Sequence, residues 1–215
     1  MIYLLSPTGK EGTTHLPMIY FSLIEERLDF TDYDLLMFTS KQAVVSVEKL
    51  NATWKKIPCL AIGEATAMQI ERLGGRVAYQ PKSFYGKTLS QDILSDFKEK
   101  KILYLRPKVV SFDSKTFLEK AGVTLDEKLI YETSCISYEK IDKPTKDAII
   151  IFTSPSTIHC FLKNFVWDES YTAVVIGDAT KAHLPANVKY VVADLPRIDA
   201  CIDKAKAISL SSNSK

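Results

Sequence analysis

The chain is poor in the side chains that most enzymes rely on. It has three histidines, His15, His159 and His183, and none stands at metal-ligand spacing from another or from a cysteine. No resident metal is expected. Also missing are a Gly-x-Gly-x-x-Gly turn, a Walker loop, a Gly-x-Ser-x-Gly elbow and a His-Glu-x-x-His pair. Their absence removes the common dinucleotide, nucleotide, serine-hydrolase and zinc-protease readings. A net charge of +2 provides no bulk field for nucleic acid, so an anionic partner must be held by local groups. No apolar run approaches the roughly 18 residues of a membrane span. Residues 1–6 carry no basic stretch ahead of their apolar ones and read as a strand, not a signal peptide. The cytoplasm is the expected location. Cys59, Cys135, Cys160 and Cys201 lie far apart and mostly in apolar runs, which predicts reduced, buried thiols.

What the chain does have is a stretch written twice. A shift of 114 positions aligns residues 38–66 with 152–180 without a gap, with eight identities over 29 positions. Seven of the eight fall in two short motifs. Phe38-Thr39-Ser40 matches Phe152-Thr153-Ser154, and Ile62-Gly63-x-Ala65-Thr66 matches Ile176-Gly177-x-Ala179-Thr180. Each motif ends an apolar run and opens a helical pattern, so the duplicated object is a strand–turn–helix unit. At 215 residues, 46% hydrophobic and 25% charged, the chain is an ordinary globular one, long enough for two small domains.

The patterning alternates strand and helix. Strands are predicted at 2–6, 35–38, 57–62, 77–79, 102–105, 148–152, 173–176 and 190–193. Helices are predicted from Ser40 to 50, over 64–73 up to the Gly74-Gly75 stop, over 88–97, and over 111–121 up to Gly122. Others begin near Ser154 and Asp178, and a last one spans 196–208. Residues 7–15, with two glycines, a proline and three threonines, read as a loop too short for a crossover helix. Two long extended runs cover 16–24 and 123–138. This is the pattern of parallel sheets covered on both faces by helices.

The repeat also predicts how the chain is threaded. The middle copy has four strands and the C-terminal copy three. The missing fourth resembles the segment Leu4-Leu5-Ser6-Pro7. The expectation is a continuous α/β domain over 25–133 inserted into a discontinuous one made of 1–15 plus 140–208. Linker strands at 16–24 and 134–139 would join them, and 209–215 would be an unordered polar tail.

In parallel open sheets, ligands bind beyond the carboxyl ends of the strands. Those ends carry Thr39, Ser40, Gly63, Thr66, Arg106, Thr153, Ser154, Gly177 and Thr180. Most open a helix, whose unpaired N–H groups attract anions, and glycine lets a ligand approach the backbone closely. Each hydroxyl taken singly also serves as an ordinary helix cap. Together they predict an interdomain cleft for a large polyanion, acting through positioning and backbone donors.

At these residues the chain resembles the uroporphyrinogen-III synthase family over nearly its whole length. The likeness rests on Phe38-Thr39-Ser40, Gly63-x-Ala65-Thr66, Tyr131-x-Thr133, Phe152-Thr153-Ser154-Pro155-Ser156 and Gly177-x-Ala179-Thr180. It implies two similar α/β domains, with parallel sheets flanked by helices, joined by a two-stranded linker. It also implies a monomeric, cofactor-free enzyme that closes linear hydroxymethylbilane, inverting its last pyrrole ring. That substrate carries eight carboxylates, which suits a row of helix N-termini. In the family, a tyrosine matching Tyr131 is the favoured group to help the hydroxyl leave, and threonines matching Thr66 and Thr180 line the cleft. A transient contact with the enzyme that makes the bilane is a further expectation; nucleic acid and membrane are not expected as partners.

Two features depart from the family. Ser6 stands where an arginine is frequent, and 7–15 replaces a crossover helix. The rival reading is a non-catalytic two-domain binding module for a tetrapyrrole or other polyanion.

Overall fold

A computed structural model describes residues 1–24, 27–83 and 85–212 of the chain. The strands are β1 (Ile2–Leu4), β2 (Thr14–His15), β3 (Ile19–Leu23), β4 (Leu35–Phe38), β5 (Cys59–Ala61), β6 (Val77–Tyr79), β7 (Ile102–Pro107), β8 (Leu125–Cys135), β9 (Ile149–Phe152), β10 (Thr172–Val175) and β11 (Tyr190–Val192). The α-helices are α1 (Lys41–Leu50), α2 (Glu64–Arg72), α3 (Gly86–Asp96), α4 (Ser114–Glu119), α5 (Pro155–Asn164), α6 (Asp178–Lys181) and α7 (Ile198–Ser212). Contacts divide the chain into a split unit, Met1–Tyr20 with Ser134–Lys215, and an inserted unit, Phe21–Thr133. The two extended runs do not stand apart from the units: β3 and β8 each begin in one and end in the other.

The inserted unit is built on a six-stranded sheet in the order β3-β8-β7-β4-β5-β6. From β8 to β6 every pairing is parallel. Leu35-Leu36-Met37-Phe38 is buried at every position, as expected of a strand covered on both faces. One face packs Leu36, Phe38, Leu103 and Leu105 against Val44 and Val47 of α1 and Ile70 of α2. The other packs Leu35, Met37, Ile102 and Tyr104 against Leu89 and Ile93 of α3 and Leu118 of α4. Alternation along β4 thus divides its side chains between two cores.

A short 3-10 helix, Ala52–Lys56, was not foreseen from the sequence. It drives Trp54 into the first core, edge-on to Phe38 with ring centroids 5.8 Å apart and its indole N–H donating to Glu48. The chain then turns away after α2 at Gly74, where φ is +87°, in the left-handed region that favours glycine. At Gly75 a Cβ would lie 2.5 Å from the Trp54 ring.

The split unit has a five-stranded parallel sheet in the order β11-β10-β9-β1-β2. Its N-terminal strand β1 lies beside β9, Tyr3 opposite Ile150. Leu4, Ile149, Ile151 and Val174 meet Cys201, Ile202 and Ala205 of α7 on one face. Phe152, Phe161, Phe165, Trp167 and Tyr171 stack mostly edge-on around α5.

Several expectations are corrected. Cys135 and Cys160 are joined by a disulfide, while Cys59 and Cys201 are free and buried. Sequence distance hid the pair, because β8 ends alongside α5. Asn164 fastens the same seam, donating to the carbonyls of Ile136 and Cys160 and accepting from the N–H of Tyr138. Residues 209–212 are helical, and the Ser211 hydroxyl donates to the Ile208 carbonyl one turn back; 213–215 lie outside the described residues. The helix expected over 111–121 begins only at Ser114, because the Asp113 carboxylate caps it through the Thr116 N–H. The helix after Gly177 is a single turn. The 7–15 segment is not all loop: its end pairs with β1 as β2. Ser6 is buried, with its hydroxyl on the Thr8 carbonyl and its own carbonyl 2.9 Å from His15 Nε2.

Candidate functional site

In the inserted unit, Thr39 and Ser40 emerge from the carboxyl end of β4 and point to opposite faces of the sheet, one toward each core. Each hydroxyl is backed by a phenol. Thr39 Oγ1 lies 2.6 Å from the Tyr104 hydroxyl, and Ser40 Oγ lies 2.9 Å from the Tyr131 hydroxyl. Tyr104 comes from the adjacent strand β7, and Tyr131 from β8 one strand further. Both rings are buried, and Phe21 meets Tyr131 edge-on at 5.6 Å. Burial pushes the Tyr104 phenol up to about 12 and the Tyr131 phenol above its usual value of 10.0, so both are protonated at neutral pH.

Ser40 has a second role. Its Oγ accepts from the Ala43 N–H at 3.0 Å and so caps α1, one of the two functions that its position allows. The next strand end carries Gly63 and Thr66, both buried, with Gly63 extended at φ −178° and its carbonyl accepting from the Thr66 N–H. The conformation is open to any residue, so the glycine is not there for its backbone freedom.

Arg106, at the end of β7, is paired with a carboxylate. Its Nε lies 3.0 Å from Glu127 Oε1 on β8, and Nη1 donates to the carbonyls of Pro107 and Lys108. The charge that a ligand could have used is balanced by a half-buried carboxylate, and the guanidinium holds the loop after β7 in place. That loop closes over a cavity of about 150 Å³ whose walls include Thr39, Ser40, Tyr104 and Ser114. Tyr104 was missed from the sequence because Ile102-Leu103-Tyr104-Leu105 reads as pure core. The signal was its hydroxyl, which needs a partner when the ring is buried.

In the split unit, Thr153 and Ser154 end β9 and Gly177 and Thr180 follow β10. Ser154 is a two-way cap: its Oγ accepts from the Thr157 N–H, the Thr157 hydroxyl receives the Ser154 N–H, and Pro155 occupies the first turn. Among the described residues no tyrosine backs Ser154 as Tyr131 backs Ser40. Gly177 is extended, its carbonyl accepts from the N–H groups of Thr180 and Lys181, and a Cβ there would meet nothing within 4 Å. Thr180 is buried. The two copies of the repeat therefore share a backbone plan and differ in chemistry.

Comparison with known proteins follows the same lines. The family model described as uroporphyrinogen-III synthase HemD matches residues 10–203. A curated relative from Ruminiclostridium josui, named porphyrin biosynthesis protein HemD, is 30% identical over 190 residues. The match covers 80% of this chain, and the chain spans 38% of that relative's length. The crystal structure of uroporphyrinogen-III synthetase from Helicobacter pylori aligns with a TM-score of 0.80 and 27% identity, covering 96% of this chain and 98% of the other. A mutant uroporphyrinogen III synthase from Thermus thermophilus aligns at a TM-score of 0.63 and 11% identity over 100% and 99% of the two chains, a likeness of fold alone. With the family model spanning most of the sequence and the duplicated strand ends in place, the chain belongs to the uroporphyrinogen-III synthase family.

Proposed function

We propose that this chain closes linear hydroxymethylbilane to uroporphyrinogen III, inverting the last pyrrole ring, as a monomeric enzyme of the cytoplasm. Family membership supports the activity. No helix among the described residues is long and apolar enough to cross a membrane. A non-catalytic binding module is not favoured, because the matching relatives carry the names of synthases and biosynthetic proteins.

The observation that carries the chemistry is the buried Tyr131 hydroxyl 2.9 Å from Ser40 Oγ. Ring closure requires the hydroxymethyl oxygen to leave as water, so a proton or a strong hydrogen bond must reach it. A phenol held above its usual 10.0 by burial keeps its proton until the moment of transfer. Ser40 lines the cavity and Tyr131 does not, so the hydroxyl of Ser40 meets the departing oxygen and Tyr131 supplies the proton behind it. The pair then recovers its proton from solvent.

The strand-end groups Thr39, Gly63 and Thr66, with Thr153, Ser154, Gly177 and Thr180, hold the carboxylates of the substrate through hydroxyls and backbone N–H groups. Arg106 contributes through the loop that it braces. A transient contact with the enzyme that releases the bilane would shorten the life of free substrate. Feeding the purified protein hydroxymethylbilane, oxidising, and separating the porphyrin isomers tests the whole reading. The type III isomer is expected in excess; type I alone, at the uncatalysed rate, would refute it.

A further inference from the structure

The cavity over the ends of β4 and β7 contains a group that the fold does not explain. The hydroxyl of Ser114 is buried and has no hydrogen-bond partner among the described residues. A buried, unpaired hydroxyl costs stability, and an alanine there would remove that cost. Ser114 lines the cavity together with Thr39, Ser40 and Tyr104, and among the described residues no charged side chain is part of its wall.

Thr39 Oγ1 lies 2.6 Å from the Tyr104 hydroxyl, and the phenol, as the stronger acid, is the better donor of the two. The proton of Thr39 is then free to point into the cavity. The wall also includes the apolar Ile62, Val110 and Phe112, with Val109 81% exposed. At Gly86, also in the wall, a Cβ would come within 3.1 Å of Phe112. Neutral hydroxyls and apolar groups in one wall suit a flat ring carrying an acceptor-only group.

We propose that this cavity is a subsite for one carboxylate-bearing pyrrole arm of the substrate, with Ser114 and Thr39 donating to the carboxylate and Tyr104 positioning Thr39. The inference rests on the tetrapyrrole reading above for the identity of the ring, but not for the carboxylate. The carboxylate would give Ser114 Oγ the partner that the described residues do not supply. A cavity of about 150 Å³ is on the scale of one substituted ring.

The test separates binding from folding. Ser114→Ala should melt at the same temperature or higher, while KM for the bilane rises roughly tenfold, the typical effect of a lost hydrogen bond to a charged group. The turnover number should fall less than twofold. Tyr104→Phe should raise KM about fivefold, since Thr39 loses its orientation and not its hydroxyl. An unchanged KM in Ser114→Ala would overturn the proposal, whatever its melting temperature.

A second measurement does not depend on activity. A monopyrrole bearing one acetate and one propionate arm, titrated into the 15N-labelled protein, should shift the amides of residues 109–114. In a Thr39→Val, Ser114→Ala double variant those shifts should vanish. Shifts elsewhere only, or shifts that survive in the double variant, would refute the subsite even if the protein makes the type III isomer. Shifts that behave as expected in a protein without synthase activity would sustain the subsite and remove the tetrapyrrole reading.

Discussion

At the scale of single residues, Tyr104 and Tyr131 differ from ordinary core aromatics only in their hydroxyls, each paired with a strand-end alcohol. Tyr131→Phe keeps the ring, its burial and its contact with Phe21, and deletes one hydrogen bond to Ser40. Stability should fall by about 1 kcal/mol. The rate of type III formation should fall about 10²- to 10⁴-fold, the usual worth of a positioned acid. A turnover within twofold of wild type would remove Tyr131 from the chemistry. The pH profile carries a second signature. Burial raises the folded phenol above 10.0, so the proton-donor limb of kcat should stay flat through neutral pH and decline only above pH 10. The same sign governs stability: the neutral phenol is favoured by folding, and that contribution is complete below pH 10 and lost as pH rises through the folded value.

At the scale of elements, the loops that shape the site are held from behind. Arg106 ties the end of β7 to Glu127 on β8 and to the carbonyls of Pro107 and Lys108. Arg106→Ala should destabilise the protein by about 3 kcal/mol, because it leaves the half-buried Glu127 carboxylate uncompensated. KM should rise as the loop loosens, while the slope of log KM against log ionic strength stays that of the wild type. A flattened slope would show that the arginine meets the substrate after all. A second element-scale test lies at the exit of α2. The Trp54 ring leaves no space beside Gly75, and the ring is itself fully buried, so neither can yield cheaply. Gly75→Ala should cost about 2 kcal/mol of stability by denaturant unfolding, within the range for an overpacked core. Gly177→Ala, where a Cβ meets open space, should cost far less.

At the scale of the molecule, two units of related plan are threaded so that β1 and β2 complete a sheet whose other three strands come from the C-terminal half. The split unit carries the Cys135–Cys160 disulfide across a separation of 25 residues. A loop of that length constrains the unfolded chain by roughly 3 kcal/mol in the chain-entropy view. Reduction should therefore lower the melting temperature, with Asn164 of α5 still tied to Ile136 and Tyr138, just past β8, and keeping the fold intact. Alkylation without reduction should label only Cys59 and Cys201, and only after unfolding, since burial pushes their thiols up to about 12 and about 11. Four labelled cysteines in the unreduced, unfolded chain would show that the bond is absent.

The sequence by itself determined the parts of this protein that depend on neighbours along the chain. Phe38-Thr39-Ser40 and Phe152-Thr153-Ser154 announce a buried strand that ends in a capping hydroxyl, and Ser40 and Ser154 do cap α1 and α5. Gly74 stops α2 through its own φ, and the count of strands in each copy of the repeat pointed to Leu4-Leu5-Ser6-Pro7 as the missing strand; in the fold β1 lies beside β9, Leu4 opposite Ile151. These are local rules of period, cap and turn, and a single strand–turn–helix unit obeys them wherever it sits. Only the tertiary structure decided which hydroxyl meets which phenol, that Glu127 claims Arg106, that Cys135 finds Cys160, and that Ser114 is buried without a partner among the described residues. Those pairs lie between 21 and 91 residues apart, or depend on a partner being absent. They are fixed by strand order and register, which bring distant residues to one sheet edge; no spacing along the chain encodes them.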